Sequence, residues 1–242
     1  MKIKSANAPL DACAVCGGEE FTLTPVVWDG LAQQWGLSEA QRHQIDRQQG
    51  ERCASCGCSR RSIALARAVL AGIGRQGETL REVARRPPEA RVLEINEAGE
   101  LTRWLSRFPG HTLVRYPDED MTSLSFDDGS FDLVVHGDTL EHVPDAVAGL
   151  RECRRVLAPG GACCYTVPVL TDRLTRSRDG LEPSYHGPPD DPRQDYQVQW
   201  EFGSDAWVWP LRAGFSTVSL HAGSSLDATT GEPCAYGIRA EF

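Results

Sequence analysis

The sequence predicts an α/β fold, a mostly parallel sheet flanked by helices, preceded by a small cysteine-bearing module. Three observations carry this. Between residues 91 and 167, apolar runs of strand length alternate with stretches whose apolar residues recur at helical spacing. The run Phe131 to His136, with Val134 and Val135 at its centre, is apolar enough for a strand covered on both faces. Two C-x-x-C-G turns, Cys13-Ala-Val-Cys16-Gly and Cys53-Ala-Ser-Cys56-Gly, stand apart from that alternation near the amino terminus.

A length of 242 residues allows one α/β domain plus an appendage. A net charge of -9 argues against a general nucleic-acid or anionic-membrane binder, which needs clustered Lys and Arg. No apolar run approaches the ~20 residues that span a bilayer. The first residues, Met-Lys-Ile-Lys-Ser-Ala-Asn, hold no apolar signal-peptide core. A cytoplasmic location is expected. Disulfides are rare there, so nine cysteines call for another explanation.

Paired thiolates on tight turns, with glycine letting the backbone curl toward sulfur, suit a tetrahedral metal. Cys13, Cys16, Cys53 and Cys56 are expected to bind one Zn²⁺, with Cys58 a nearby spare. A redox pair or unliganded thiols are the alternatives. Between the pairs, Ser38-Glu-Ala-Gln41 has the form of a capping box and opens a polar helix to about Gln49. Phe21, Val26, Val27, Trp28, Leu31 and Trp35 can pack this module on the main domain. A second helix runs from Ser62 to Leu70, with Arg60 and Arg61 at its start, placed to meet an acidic ligand or solvent. Gly74, Gly77, Pro87 and Pro88 mark a connector with a short helix.

Arg91 to Ile95 is the first strand of the sheet. Leu101, Trp104, Leu105 and Phe108 mark an amphipathic helix ended by Pro109-Gly110, and Thr112 to Arg115 is the second strand. Asp127-Asp128-Gly129 is a turn, followed by the strand at Phe131. The polar cluster Gly137 to His142 sits at that strand's carboxyl end, where open α/β sheets bind ligands. Asp145 caps a helix to Leu157, Ala158-Pro-Gly-Gly161 stops it, and Ala162 to Val167 is a further strand with Cys163 and Cys164 as core thiols. Only Tyr116 to Ser130 separates the second strand from the one at Phe131. A crossover through another strand and helix needs roughly 20 residues or more. That strand and helix are expected to be reduced or missing.

The phrases Asp120-Met-Thr-Ser-Leu-Ser-Phe126, Ser130-Phe-Asp132, Leu140-Glu-His-Val143 and Leu150-Arg-Glu-Cys-Arg-Arg-Val-Leu-Ala-Pro-Gly-Gly161 resemble the class I S-adenosyl-L-methionine (SAM)-dependent methyltransferases, of the type 11-like kind. The resemblance covers about residues 91 to 168. With the cysteine turns ahead of it, the chain is similar to a bacterial subgroup carrying an N-terminal zinc module built on four cysteines. The resemblance implies a Rossmann-like sheet with an antiparallel last strand, SAM as cofactor and a small-molecule or carrier-bound acceptor from a glycan or secondary-metabolite pathway. It implies a cofactor site drawn from Glu94, Asn96, Ala98, Gly99, Asp118, Asp120, Met121, Gly137, Asp138, Leu140 and His142. The family's first loop reads acid-x-G-x-G-x-G. Here Glu94 keeps the acid, but Asn96, Ala98 and Glu100 hold the glycine positions and Gly99 is out of register. Asn tolerates left-handed backbone, so a loop remains feasible. Asp118, or Glu119, stands for the ribose carboxylate, and an exposed acidic turn is its alternative. Met121 can pack on adenine or fill core.

The carboxyl-terminal third holds a Pro- and Asp-rich insertion, about residues 169 to 203, expected to lid the substrate pocket. Three residues are candidates for taking a proton: His142, His186 and Asp138, the histidines because they titrate near neutrality. Helix capping or a plain loop role is their alternative. Trp200, Trp207 and Trp209 line a pocket or pack. Phe215 to Leu220 and Ala235 to Glu241 are the last strands. The expected division is a zinc module and helix over 1–74, a connector over 75–90, and a methyltransferase domain over 91–242. A SAM-fold protein that no longer methylates, such as a partner subunit, is the second reading, motivated by the altered glycine loop. A zinc ribbon that reads nucleic acid is the third. No membrane or nucleic-acid partner is expected, and a homodimer or partner enzyme is left open.

Overall fold

The computed structural model describes residues 12–185, 197–224 and 235–242. The chain begins with the first cysteine turn, a short strand β1 (Phe21–Leu23), helix α1 (Asp29–Trp35), helix α2 (Glu39–Gly50) and strand β2 (Glu51–Cys53), which pairs antiparallel with β1. The Ser38 hydroxyl accepts from the Gln41 backbone N–H and the Gln41 side chain accepts from Ser38 N–H, the reciprocal cap read from the sequence. Helix α3 (Arg60–Gly72) and the single turn α4 (Leu80–Val83) lead into strand β3 (Arg91–Ile95).

After β3 come helix α5 (Thr102–Leu105), strands β4 (Gly110–Val114) and β5 (Phe131–Gly137), helix α6 (Ala146–Val156) and strand β6 (Leu157–Thr166). The insertion contributes β7 (Val169–Leu170), β8 (Arg176–Ser177) and β9 (Trp200–Gly203), which form a small sheet of their own in the order β7-β9-β8. Helix α7 (Val208–Arg212), β10 (Thr217–Ala222) and β11 (Tyr236–Glu241) complete the fold.

The main sheet has six strands in the order β10-β11-β6-β5-β3-β4. Strands β4, β3, β5 and β6 are parallel, and β11 lies antiparallel against both β6 and β10. Residues 115–130 carry no strand between β4 and β5, so β4 is an edge and the expected shortening of the sheet is real. Side chains of successive strand residues point to opposite faces, and two buried clusters result. Leu133, Val135 and Cys164 meet α3, α4 and α5 on one face. Leu93, Ile95, Val134, Cys163 and Tyr165 meet α6 and α7 on the other.

Helix α3, counted with the cysteine module in the sequence, packs on this sheet. Its apolar face, from Ile63 to Leu70, is buried. The approach is close enough to demand glycine opposite it. A Cβ on Gly237 would lie 2.3 Å from the Ala64 carbonyl oxygen. Part of the expected apolar contact is present: Phe21 packs on the cluster that joins Cys13, Val15 and Cys16 to α3 and the sheet. Val27 and Trp35 are buried, but Val26 and Trp28 are 42% exposed. Toward the insertion the contact is a polar stripe on α2, where Gln41, Gln44 and Gln48 reach Asp172, Thr171 and the Val169 carbonyl. Trp35 donates its indole N–H to the Ser184 hydroxyl, and Arg173 donates to the Trp35 and Gly36 carbonyls.

Replacing Gly237 by alanine is therefore expected to destabilise the chain by about 1–3 kcal/mol, as overpacking against backbone does. Denaturant midpoints of wild type and Gly237→Ala check this, and an unchanged midpoint would show that α3 can shift off the sheet.

Candidate active site and metal centre

The chain leaves β3 toward β4 and leaves β5 toward β6, on opposite sides, so the crevice between their carboxyl ends is a topological switch point. Two loops border it, after Ile95 and after Gly137. Each begins with a non-glycine residue in left-handed backbone: Asn96 at φ 54° and Asp138 at φ 47°. Asn and Asp are the residues that tolerate this best. The loops touch, with the Asn96 amide 3.5 Å from the Thr139 hydroxyl and its carbonyl accepting from Tyr116 N–H.

Glu94 anchors the first loop. It is fully buried, accepts from Ala98 N–H at 2.8 Å and the Thr102 hydroxyl at 2.5 Å, and lies 2.6 Å from His111 Nε2. The loop's ordering acid is thus paired inside the fold. Glu100 opens the short helical turn as expected, and its carboxylate turns toward the module: it accepts from the Ser62 hydroxyl at 2.6 Å and pairs with Arg52. Gly99 takes left-handed backbone beside Ser62 and Arg61.

The second loop is held the same way. Asp138 pairs with Arg61 of α3 and accepts from the Gln49 amide at 2.9 Å. Its backbone N–H donates to the Thr166 carbonyl of β6. Glu141 is 1% exposed, and neither carboxylate oxygen has a hydrogen-bond donor among the described residues. Burial first, then neighbouring Asp138, pushes its pKa well up, while Arg61 opposes this. The His142 ring has Nδ1 3.1 Å from the Gln197 carbonyl and Nε2 3.9 Å from Glu141. A carbonyl only accepts, so Nδ1 carries the proton in this contact.

Other sequence candidates lie elsewhere. Leu140 is fully buried in core, and Met121 fills core against Gly149. Asp118 is exposed, and Asp120 accepts from Thr122 in a local turn. His186 lies outside the described residues. Trp200 and Trp209 stack edge to face at 4.7 Å and Trp209 is core, while Trp207 is exposed. The glutamine stripe, Gln49 and Arg52 were not singled out from sequence. The helical spacing of Gln41, Gln44 and Gln48 was the available signal of a polar docking face.

The four module cysteines converge: their sulfurs all lie within 4.8 Å of one another. Cys13 and Cys56 sulfurs are 3.6 Å apart, as are those of Cys16 and Cys53. Four thiolates at Zn–S distances of about 2.3 Å on a tetrahedron sit roughly 3.8 Å apart, so the set fits Zn²⁺. The two turns match: Gly17 N–H donates to the Cys13 carbonyl and Gly57 N–H to the Cys53 carbonyl, both glycines in left-handed backbone. Gly18 N–H points at Cys16 sulfur. A second group, His136, Cys153 and Cys163, is wholly buried in core. Burial pushes His136 down to about 3, and it stacks on Tyr165 at 4.8 Å, so it behaves as a neutral core aromatic.

An open α/β sheet with a reversed last strand, and loops meeting beyond β3 and β5, defines a class I methyltransferase fold. Residues 69–165 match the methyltransferase domain family. The chain is 35% identical to a demethylmenaquinone methyltransferase of Staphylococcus carnosus over 121 residues, 48% of this chain and 44% of that one. It is 40% identical to a sarcosine/dimethylglycine N-methyltransferase of Halorhodospira halochloris over 60 residues, 25% of this chain and 22% of that one. It thus spans less than half the length of these relatives. A SAM-dependent methyltransferase structure from Mesorhizobium loti overlaps 67% of this chain and 97% of its own, at 16% identity and a TM-score of 0.40. Among the described residues, no helix is long and apolar enough to cross a membrane.

Purified protein is expected to carry about one zinc per chain, and Cys53→Ser to carry almost none. Its thermal midpoint should fall by ~10 °C or more, at roughly 2–4 °C per kcal/mol for a chain of this size. Elemental analysis and a thermal scan check both. Metal-free wild type with the same midpoint as Cys53→Ser would contradict the zinc assignment.

Proposed function

We propose that this chain transfers a methyl group from SAM to a small-molecule or carrier-bound acceptor, and that its cysteine module holds one structural Zn²⁺. The observation that carries the reading is the meeting of the β3 and β5 loops at the switch point, inside the stretch that matches the methyltransferase domain. When bound, SAM supplies a methyl group activated by a sulfonium. The protein's own work is alignment, which supplies several kcal/mol. Glu94 fixes the backbone of the first loop through Ala98. Asn96 ties that loop to Thr139 and Tyr116, keeping the two walls in register. His142, whose Nδ1 donates to the Gln197 carbonyl, is the residue that takes a proton from a hydroxyl or amine acceptor. The curated relatives named above act on a quinone precursor and on amines by their names, and either chemistry is compatible with such a base.

A second reading, a methyltransferase fold that no longer methylates, is favoured by one feature. The crevice is crossed by side chains of the module, Arg61 on Asp138 and Arg52 on Glu100. Under the leading reading these contacts open when ligand enters.

Calorimetry with SAM and S-adenosyl-L-homocysteine (SAH), followed by mass spectrometry of an acceptor panel that includes a demethylated quinone and glycine derivatives, tests the proposal. Binding of both nucleosides and a mass gain of one methyl substitution are expected. His142→Ala should lower turnover by about 10²–10⁴-fold while leaving SAH affinity within about threefold. No nucleoside binding at millimolar concentration would end the methyltransferase reading.

A further inference from the structure

We propose that His136, Cys153 and Cys163 form a second metal site, for a soft monovalent cation of the Cu(I) type, between the sheet and α6. The methyl transfer described above uses none of these residues, so the inference stands apart from that reading. Three elements bring them together. His136 and Cys163 lie on the neighbouring parallel strands β5 and β6, where Val134 pairs with Cys163 and His136 with Tyr165. Alternation along each strand turns Val134, His136, Cys163 and Tyr165 to one face, and Cys153 of α6 joins that buried layer. One ligand atom from each of His136, Cys153 and Cys163 lies within 4.8 Å of the other two. At metal–nitrogen and metal–sulfur distances of about 2.0 and 2.3 Å, three ligands around one cation stand roughly 4 Å apart. The donors are therefore already at near-ligating separation.

A second observation is independent of that spacing. His136 is 0% exposed, and neither ring nitrogen has a hydrogen-bond partner among the described residues. A buried polar group without a partner costs free energy that a ligand can return. Stacking on Tyr165 fills space around the ring but answers neither nitrogen. The ring is neutral, so a lone pair is available to a metal at neutral pH. Cys163 keeps its proton in the metal-free chain: contact with Cys153, then burial, pushes its thiol well up.

Donor chemistry selects the cation. Two sulfurs and an imidazole are soft ligands, and the group holds no carboxylate, which argues against Ca²⁺ and Mg²⁺. Zn²⁺ takes four ligands in a closed site and keeps a water in an open one. Here three side chains meet, each 0% exposed. Monovalent copper is satisfied by fewer ligands and favours thiolate. Charge agrees with this choice. On binding, one thiol S–H bond breaks, a Cu–S bond forms and the proton leaves to solvent. One positive charge replaces another, so no net charge is added to the core. Because all three ligands are buried, the cation enters as α6 lifts or as the chain folds, and loading is slow.

The probe is Cu(I), buffered under anaerobic conditions by the chromophoric chelator bicinchoninate and equilibrated with the full zinc-loaded chain during a long warm incubation. Elemental analysis then counts copper and zinc, and X-ray absorption identifies the neighbours of copper. Wild type is expected to take up about one copper per chain, to keep its zinc, and to show nitrogen beside sulfur around copper. Its thermal midpoint should rise by about 5 °C or more with copper in excess. His136→Phe keeps a ring in the core and removes the unpartnered nitrogens. Its metal-free midpoint should equal or exceed that of wild type, and copper should no longer raise it. Cys163→Ala should weaken copper binding by at least about tenfold, and should that variant not fold, Cys153→Ala decides. The proposal is overturned if no copper is retained, if copper merely displaces zinc, or if wild type and His136→Phe take up copper alike. A chain that carries no zinc would end the four-cysteine assignment by itself. The difference in copper uptake between wild type and His136→Phe still decides this one.

Discussion

Charge gathered at the carboxyl ends of β3 and β5 needs partners, and the N-terminal module supplies them. Asp138 rests on Arg61 and Gln49, and Glu100 rests on Arg52 and Ser62. Both loops of the crevice are therefore shaped by residues that precede the sheet in sequence. The four-cysteine cluster joins the same unit. Arg52 precedes Cys53 of that cluster, and Arg103 of α5 donates to the Cys56 carbonyl. Zinc at the four cysteines would fix β2 and the second cysteine turn, and through them the side chains that reach the crevice. In a low-dielectric site such polar contacts are strong when complete and costly when partial, which makes Glu141 conspicuous.

The module also grips the insertion. Helix α2 uses one polar stripe for both tasks: Gln41, Gln44 and Gln48 face residues 169–172, and Gln49 reaches the crevice. Within the insertion, Glu201 is buried and pairs with Arg176 and Arg178, with Arg173 3.9 Å away. Arg173 spends its other donors on the module. Movement of the insertion over the crevice would have to break these bonds together. The insertion and the module are thus joined as one polar assembly.

Much of this fold was legible in the sequence because it rests on local rules. The alternation in β5, the capping box at Ser38, the turn at Gly129 and the two C-x-x-C-G turns each express geometry a few residues long. The short link between β4 and β5 disclosed the missing strand by length alone. The site was less legible. Asn96 in left-handed backbone and Glu100 opening a helical turn follow from residue type, but their partners Thr139, Tyr116, Ser62 and Arg52 are set by tertiary approach. Apolar bulk in the module suggested an apolar joint, and Val15 and Phe21 contribute one, yet glutamine side chains close the face toward the insertion. Periodicity in α2 carried that information in polar letters.

The central claim is that the crevice closed by the module is a cofactor site. A crystal structure of the zinc-loaded chain with SAH tests it most directly. The account predicts the ligand at the carboxyl ends of β3 and β5, between the Asn96 and Asp138 loops, with Arg61 moved off Asp138. Ligand bound elsewhere, with the Arg61–Asp138 and Arg52–Glu100 pairs intact, would contradict it.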